Sequence, residues 1–269
     1  MKPSRQEELR QSAHYDDIAS EYDRHYSDPT SERYRARFVN QALTAGIDLR
    51  GRDVLEAMCG SGSTIGYLLG LGAKVTGLEI SPTLVSTLKQ KWPQAGAIEA
   101  SILDTGLPDA SFDCVVVVGG LHHVQPHVEP AIDEIYRILR PGGWLCFSEP
   151  HAGSLPDLVR GWWYRVDNLF ERNEAALDVD GLQRANRGRF EFVTTRYSGS
   201  IAYLLVYNSM VFRVPVGLKR FYARPLMAVE AALAPLVGKR LGCFVICQWR
   251  KLGADAATSV GGTHSPSRS

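Results

Sequence analysis

Residues 53–80 read DVLEAMCGSGSTIGYLLGLGAKVTGLEI. They set out an apolar strand, a glycine loop at Gly60 and Gly62, an amphipathic helix, a second strand and then an acid, Glu79. Glycine in Cys59-Gly60-Ser61-Gly62 lets the backbone turn sharply and approach a ligand with no Cβ in the way. The N–H groups that open the following helix then face that ligand. Glu79, at the end of the second strand, can accept two hydrogen bonds from ribose hydroxyls more strongly than a neutral residue would. Loop and acid together describe a site for a nucleoside-bearing cofactor.

Outward from this stretch, strand and helix patterns alternate. Strands are expected over 53–58, 73–79, 97–102, 112–118 and 143–149, with helices over 62–71, 82–91 and 129–139. Such alternation gives right-handed crossovers and a parallel sheet covered on both faces. Asp113 to Val118 reads as a continuous β-branched run, as a strand buried on both faces does, and it stops at Gly119-Gly120. After Pro150 the pattern changes to helices over 154–187, an alternating strand over 189–197, a largely apolar stretch over 201–237 and a last strand over 243–249. The expected fold is α/β: a doubly wound, mostly parallel seven-stranded Rossmann-like sheet with an antiparallel edge strand and a helical cap inserted after the fifth strand. Residues 1–252 then form one domain, with a helical arm over 12–49 and a substrate cap over 151–238, and 253–269 is a disordered tail.

Composition narrows the function. The 269 residues are 45% hydrophobic, enough for one substantial core. Thirty basic residues stand against 29 acidic ones, so no global field draws the chain to nucleic acid. Five scattered cysteines fit reduced, buried thiols in a cytoplasmic protein better than a disulfide frame. Cys243 and Cys247 lack a second pair at zinc spacing, and no metal is expected. The opening MKPSRQEELR is too polar for a signal peptide, and no run reaches the ~20 apolar residues of a membrane span.

Four ordered blocks carry a resemblance: VLEAMCGSGSTIG, GAKVTGLEIS, LPDASFDCVVVVGGLHHV and EIYRILRPGGWLCFSEP. Over roughly residues 12–150 the chain resembles the class I S-adenosylmethionine-dependent methyltransferases, in particular the small-molecule group called methyltransferase type 11. The resemblance implies S-adenosyl-L-methionine as cofactor and S-adenosyl-L-homocysteine as product. It places Glu56, Gly60 and Gly62 around the methionine part, with Tyr22 folding over that end. It gives Glu79 the ribose hydroxyls, sets Ile80 against adenine, and brings Val118 and Gly119 close to the sulfonium. The adenine amino contact falls on Ser101, with Ile102 beside it, or on Asp104. A dinucleotide enzyme is the rival reading, but Ile65 follows where the third glycine of G-x-G-x-x-G would stand and glycine comes only at Gly66.

A sulfonium methyl is already activated, so the protein must mainly align an acceptor and exclude water. An acceptor hydroxyl must also lose a proton, and histidine is poised for that near neutral pH. His122 and His123 lie just beyond the fourth strand, and His151 lies beyond the fifth, where an open α/β sheet places its ligand crevice. These three are the candidate bases, with Glu149 a competitor; each histidine could equally cap or pack. The expected reaction is methyl transfer to an apolar or amphipathic small molecule, at oxygen. C- or N-methylation of a biosynthetic intermediate is the alternative, as is a non-catalytic cofactor-binding subunit. The aromatic cluster Trp162, Trp163, Tyr164 and Phe170 packs a cap helix or walls the acceptor site. The 201–237 segment reads as cap core, homodimer contact, substrate tunnel or membrane-surface helix. Leu226, Val229, Leu233 and Leu236 recur at helical spacing, which favours packing.

Overall fold

The computed structural model describes residues 25–158, 175–209 and 213–253. Tyr22, residues 12–24 of the 12–49 arm, the aromatic cluster at 162–170 and the tail beyond 253 lie outside the described residues. Seven strands form one sheet: β1 (Asp53–Ala57), β2 (Lys74–Glu79), β3 (Gly96–Glu99), β4 (Phe112–Val118), β5 (Leu139–Pro150), β6 (Phe190–Ser198) and β7 (Phe244–Lys251). Their order is β3-β2-β1-β4-β5-β7-β6. The first five are mutually parallel, and β7 runs antiparallel to both β5 and β6. The antiparallel strand therefore sits one place in from the rim, and β6 holds the edge. Residues 190–198 accordingly belong to the sheet itself and not to a layer above it.

The continuous apolar run of β4 is explained by its two neighbours. Val115 and Val117 face one core cluster with Ile132 and Ile135 of helix α4 (Val128–Ile138), while Cys114 and Val116 face a second cluster on the other side. That second face is covered by a helical run, α1 (Pro29–Arg35, continued through Ala36–Asn40 to Leu43), together with α2 (Ile65–Gly70), α3 (Pro82–Lys91) and α6 (Val216–Leu233). Helix α5 (Val179–Ala185) joins the first face through Val179 and Leu182. Gly66 in α2 has a packing reason. A Cβ there would lie 2.3 Å from the Trp92 ring, so the indole packs against the bare helix backbone.

Strand β3 stops at Glu99, short of the expected residue 102. The Ser101 hydroxyl takes the Leu103 N–H at 3.3 Å, and the Asp104 N–H donates to the Ser101 carbonyl at 3.2 Å, so a side-chain-supported turn replaces the ladder.

Helix α6 reverses the orientation its leucine spacing predicts. Its buried residues are Lys219, Ala223, Met227 and Glu230. Leu226 is half-buried, but Val229, Leu233 and Leu236 point outward. Two buried polar networks fasten the inner face to α1. The Lys219 Nζ donates to the Asp28 carboxylate at 2.7 Å, the Ser31 hydroxyl at 2.7 Å and the His25 carbonyl at 2.8 Å. Glu230 accepts from the Tyr34 hydroxyl, from Ser200 Oγ at 3.1 Å and from the Tyr203 N–H at 2.9 Å. A fully satisfied buried network can occupy a face that a hydropathy count assigns to leucines.

Candidate functional site

The crossover from β1 leads to β2 on one side, while β4 continues on the other, so the carboxyl ends of β1 and β4 diverge into a crevice. A cleft of about 990 Å³, part of it open to solvent, lies there. Its floor is the loop after β1, where Met58 and Gly60 adopt positive φ of 54° and 55° and the Gly62 N–H closes a turn onto the Cys59 carbonyl at 2.9 Å. Gly62 has a φ of 81°, and a Cβ on it would sit 2.9 Å from both Ile65 and Trp92.

The structure brings Gly60, Glu79, Ile80, Ser101, Ile102, Val118, Gly119 and His123 together around this cleft. It places the other expected residues elsewhere. Glu56 is buried and out of the lining, its carboxylate accepting the Thr64 N–H at 3.1 Å, so it braces the turn into α2 from behind. Gly62 shapes the loop without lining the cleft, and Asp104 is exposed. Between the two adenine candidates, Ser101 is on the wall and Asp104 is not. His151 is buried against the Tyr197 ring at a centroid distance of 4.6 Å and does not line the cleft. Tyr26 and Ser27 line it, as do Met58, Leu84 and Val124, none of which motif reading singled out. The aromatic and hydroxyl-rich run from Tyr15 to Ser27 was the available signal for the first two.

Glu79 does more than face the cleft. Its carboxylate accepts from the N–H groups of Gly60 at 2.8 Å, Ile80 at 2.9 Å and Ser81 at 3.1 Å, tying β2 to the glycine loop. Burial raises its pKa above the usual carboxylate range, against those three donors. An ionised carboxylate has about four acceptor positions, so capacity remains for a ligand hydroxyl.

Glu149, at the end of β5, organises the far wall. Its Oε1 accepts from the Gly120 and Leu121 N–H groups, each at 2.8 Å, and its Oε2 lies 2.8 Å from His122 Nδ1. A proton on Nδ1 shared with this carboxylate leaves Nε2 as the acceptor nitrogen of a neutral ring. The His122 and His123 rings are in contact, with centroids 3.8 Å apart and planes tilted by 37°. The cis peptide at Gln125-Pro126 follows this turn.

Burial pushes the Glu56 carboxyl up to about 7 from its ordinary 4.5, against the Thr64 N–H and the charge of Arg35, and its Oε2 has no partner among the described residues. The folded state therefore holds this proton more tightly than the unfolded chain. Stability from the group is full below about pH 4.5 and is lost as pH rises through about 7. The decline amounts to about 3 kcal/mol at most. Glu56→Gln is expected to remove this contribution, so that the loss of unfolding free energy in urea between pH 5 and pH 8 is smaller than in the parent protein.

The chain is similar to known proteins in sequence and in fold. Residues 55–147 match the family described as Methyltransferase domain. The chain is similar to a malonyl-[acyl-carrier protein] O-methyltransferase of Enterobacter lignolyticus, 32% identical over 146 residues that cover 52% of this chain and 56% of that protein. It is also similar to a demethylmenaquinone methyltransferase of Thermus thermophilus, 29% identical over 56% of this chain and 72% of that one. The fold is shared with the Burkholderia thailandensis 1,6-didemethyltoxoflavin-N1-methyltransferase, solved with 1,6-didemethyltoxoflavin and S-adenosylhomocysteine bound. The TM-score is 0.55 at 17% identity, over 94% of this chain and 92% of that one. Among the first curated relatives, the chain spans 39%, 56% and 50% of their lengths. The family match spans β1 to β5 and most of the loops that build the cleft, so residues 55–147 form a methyltransferase domain.

Proposed function

We propose that the protein transfers a methyl group from S-adenosyl-L-methionine to a small apolar or amphipathic acceptor, at oxygen. The observation that carries this reading is the layout of one cleft. A glycine loop and a buried carboxylate, Glu79, stand together on its wall, apolar Val118 and Gly119 also line it, and the histidine His123 lies on the same wall. Glu79 fits a ribose, having acceptor capacity left beyond its three backbone donors. Ile80, Leu84 and Ile102 offer apolar walls for a flat ring, with Ser101 as a polar contact beside them. When bound, this cofactor supplies a methyl group on a positively charged sulfur.

The chain's own residues then have two tasks. The Val118 side chain, beside Gly119, presents an apolar surface that keeps water from the reacting centre. His123, on the cleft wall, accepts the proton of the acceptor hydroxyl, and His122, tied to Glu149, positions it through the contact between their rings. The five cysteines are buried and none is in a disulfide, which supports a reducing, cytoplasmic location.

Calorimetric titration with S-adenosyl-L-homocysteine and with NADH tests the cofactor: tight nicotinamide binding without S-adenosyl-L-homocysteine binding would sink the reading. For the base, a labelled-methyl assay against a metabolite extract provides the acceptor. His123→Ala is then expected to lower kcat by about 10²–10⁴-fold while leaving S-adenosyl-L-homocysteine affinity within about threefold. An unchanged kcat would remove His123 from the mechanism.

A further inference from the structure

We propose that the outer face of α6 docks onto an anionic lipid bilayer, lying in its surface. The proposal stands on that face alone and does not depend on methyl transfer. Leu218, Phe221, Pro225, Val229, Leu233 and Leu236 follow one another at steps of three and four residues, which lines them along one side of the helix and the 3₁₀ turn Ala234–Leu236 that extends it. Phe221 is 69% exposed and Leu236 is 73% exposed, far beyond what a scattered surface leucine needs. The stripe is not the packing side of α6, because Lys219, Ala223, Met227 and Glu230 are buried there, with Lys219 and Glu230 bonded to α1, its cap Asp28, Ser200 and Tyr203. The patch continues past the helix. Leu241 is exposed beside Arg240, and the Arg240 carbonyl accepts the N–H of Leu155, another exposed leucine.

Charge selects the occupant. From Gly199 to Gly253 the chain carries eight Lys and Arg residues and a single acid, Glu230, which is buried facing α1. Arg220 and Arg224 are exposed on one flank of the stripe, and Arg220 stacks on the Phe221 ring at 4.7 Å. The neighbouring acids are engaged: Asp180 is paired with Lys239, and Asp157 accepts the Gly153 N–H at 3.0 Å. A twofold dimer through this stripe would bring Arg220 and Arg224 of both copies together, and the outer face of α6 offers no acid to meet them, its one acid, Glu230, being buried. An anionic headgroup layer instead neutralises the flank while the leucines and Phe221 enter the acyl boundary. No helix among the described residues is long and apolar enough to cross a membrane, so the contact is a surface one.

The test is flotation of the full chain with vesicles of equal parts phosphatidylglycerol and phosphatidylcholine, beside pure phosphatidylcholine vesicles. The protein is expected to float with the first and not with the second, and to be released at high salt. Arg220→Gln with Arg224→Gln should weaken binding about thirtyfold, at roughly fivefold per surface cation. Phe221→Asp with Leu236→Asp should abolish it. Both pairs change only exposed side chains, so unfolding temperature and S-adenosyl-L-homocysteine affinity serve as folding controls. Absence of flotation, or equal binding to phosphatidylcholine, overturns the proposal. So does a dimer in light scattering that Phe221→Asp converts to monomer, which would assign the face to a second copy.

Discussion

Glu79→Ala is expected to weaken S-adenosyl-L-homocysteine binding by about tenfold to two-hundredfold, the range for losing a charged hydrogen-bond partner worth about 1.5–3 kcal/mol. The same change should lower stability, because it strips the acceptor from three backbone donors, Gly60, Ile80 and Ser81. Orphaned buried donors cost about 1–3 kcal/mol each when no water reaches them. The loop beside the cleft admits some water, so a net loss of about 2–4 kcal/mol and a fall in Tm of about 5–10 °C is the expected result. Glu79→Gln separates the two roles: its carbonyl still accepts backbone N–H groups, so Tm should fall less, while affinity drops nearly as far. Calorimetric titration and thermal unfolding of both variants give the answer. Retained affinity in the alanine variant would refute the ribose assignment.

Glu149→Ala should be the more damaging change to the fold. The carboxylate is fully buried and holds the Gly120 and Leu121 N–H groups together with His122 Nδ1. Its removal leaves all three without their acceptor and is expected to cost about 3–5 kcal/mol, read as a shift in the urea midpoint. Glu149→Gln is the informative companion. Its carbonyl can keep the two backbone donors, but its amide then faces His122 Nδ1 with a hydrogen, forcing the imidazole proton to Nε2 or turning the ring. Near-normal unfolding and S-adenosyl-L-homocysteine affinity are expected, with kcat reduced and its pH profile displaced. A purely structural role for Glu149 would leave that profile where it was.

The sheet could be read from the chain wherever local pattern and tertiary role agree. Both ends of β4 and of α3 fall where the β-branched run over 112–118 and the helical pattern over 82–91 place them. The cleft was legible at Gly60, Glu79 and Val118 because a glycine loop and a strand-end acid have few other uses in that order. What escaped was long-range polar pairing. Nothing near Lys219 in the sequence announces Asp28, 191 residues away, so a lysine on an apolar helix reads as solvent-facing and the leucines opposite it as core. Glu149 and His122 stand 27 residues apart, and only the parallel register of β4 and β5 brings them together. Asp104 drew attention as the acid nearest the adenine position, yet the Ser101 turn carries it outward.

The position of β7 has a consequence for assembly. Strand β6 has β7 as its sole neighbour in the sheet, and β5 pairs with β7 along its outer edge. During synthesis the cleft-building strands β1 to β5 can pair as they emerge, but β5 then presents an open edge and β6 has nowhere to dock. Both wait for residues 244–251, almost a hundred positions after β5 ends. Until then the nascent sheet carries an unsealed margin, the kind of edge on which mispairing and aggregation begin. The last strand acts as a keystone: a chain cut before Phe244 would keep its glycine loop and Glu79 yet lose the closure that makes the sheet whole.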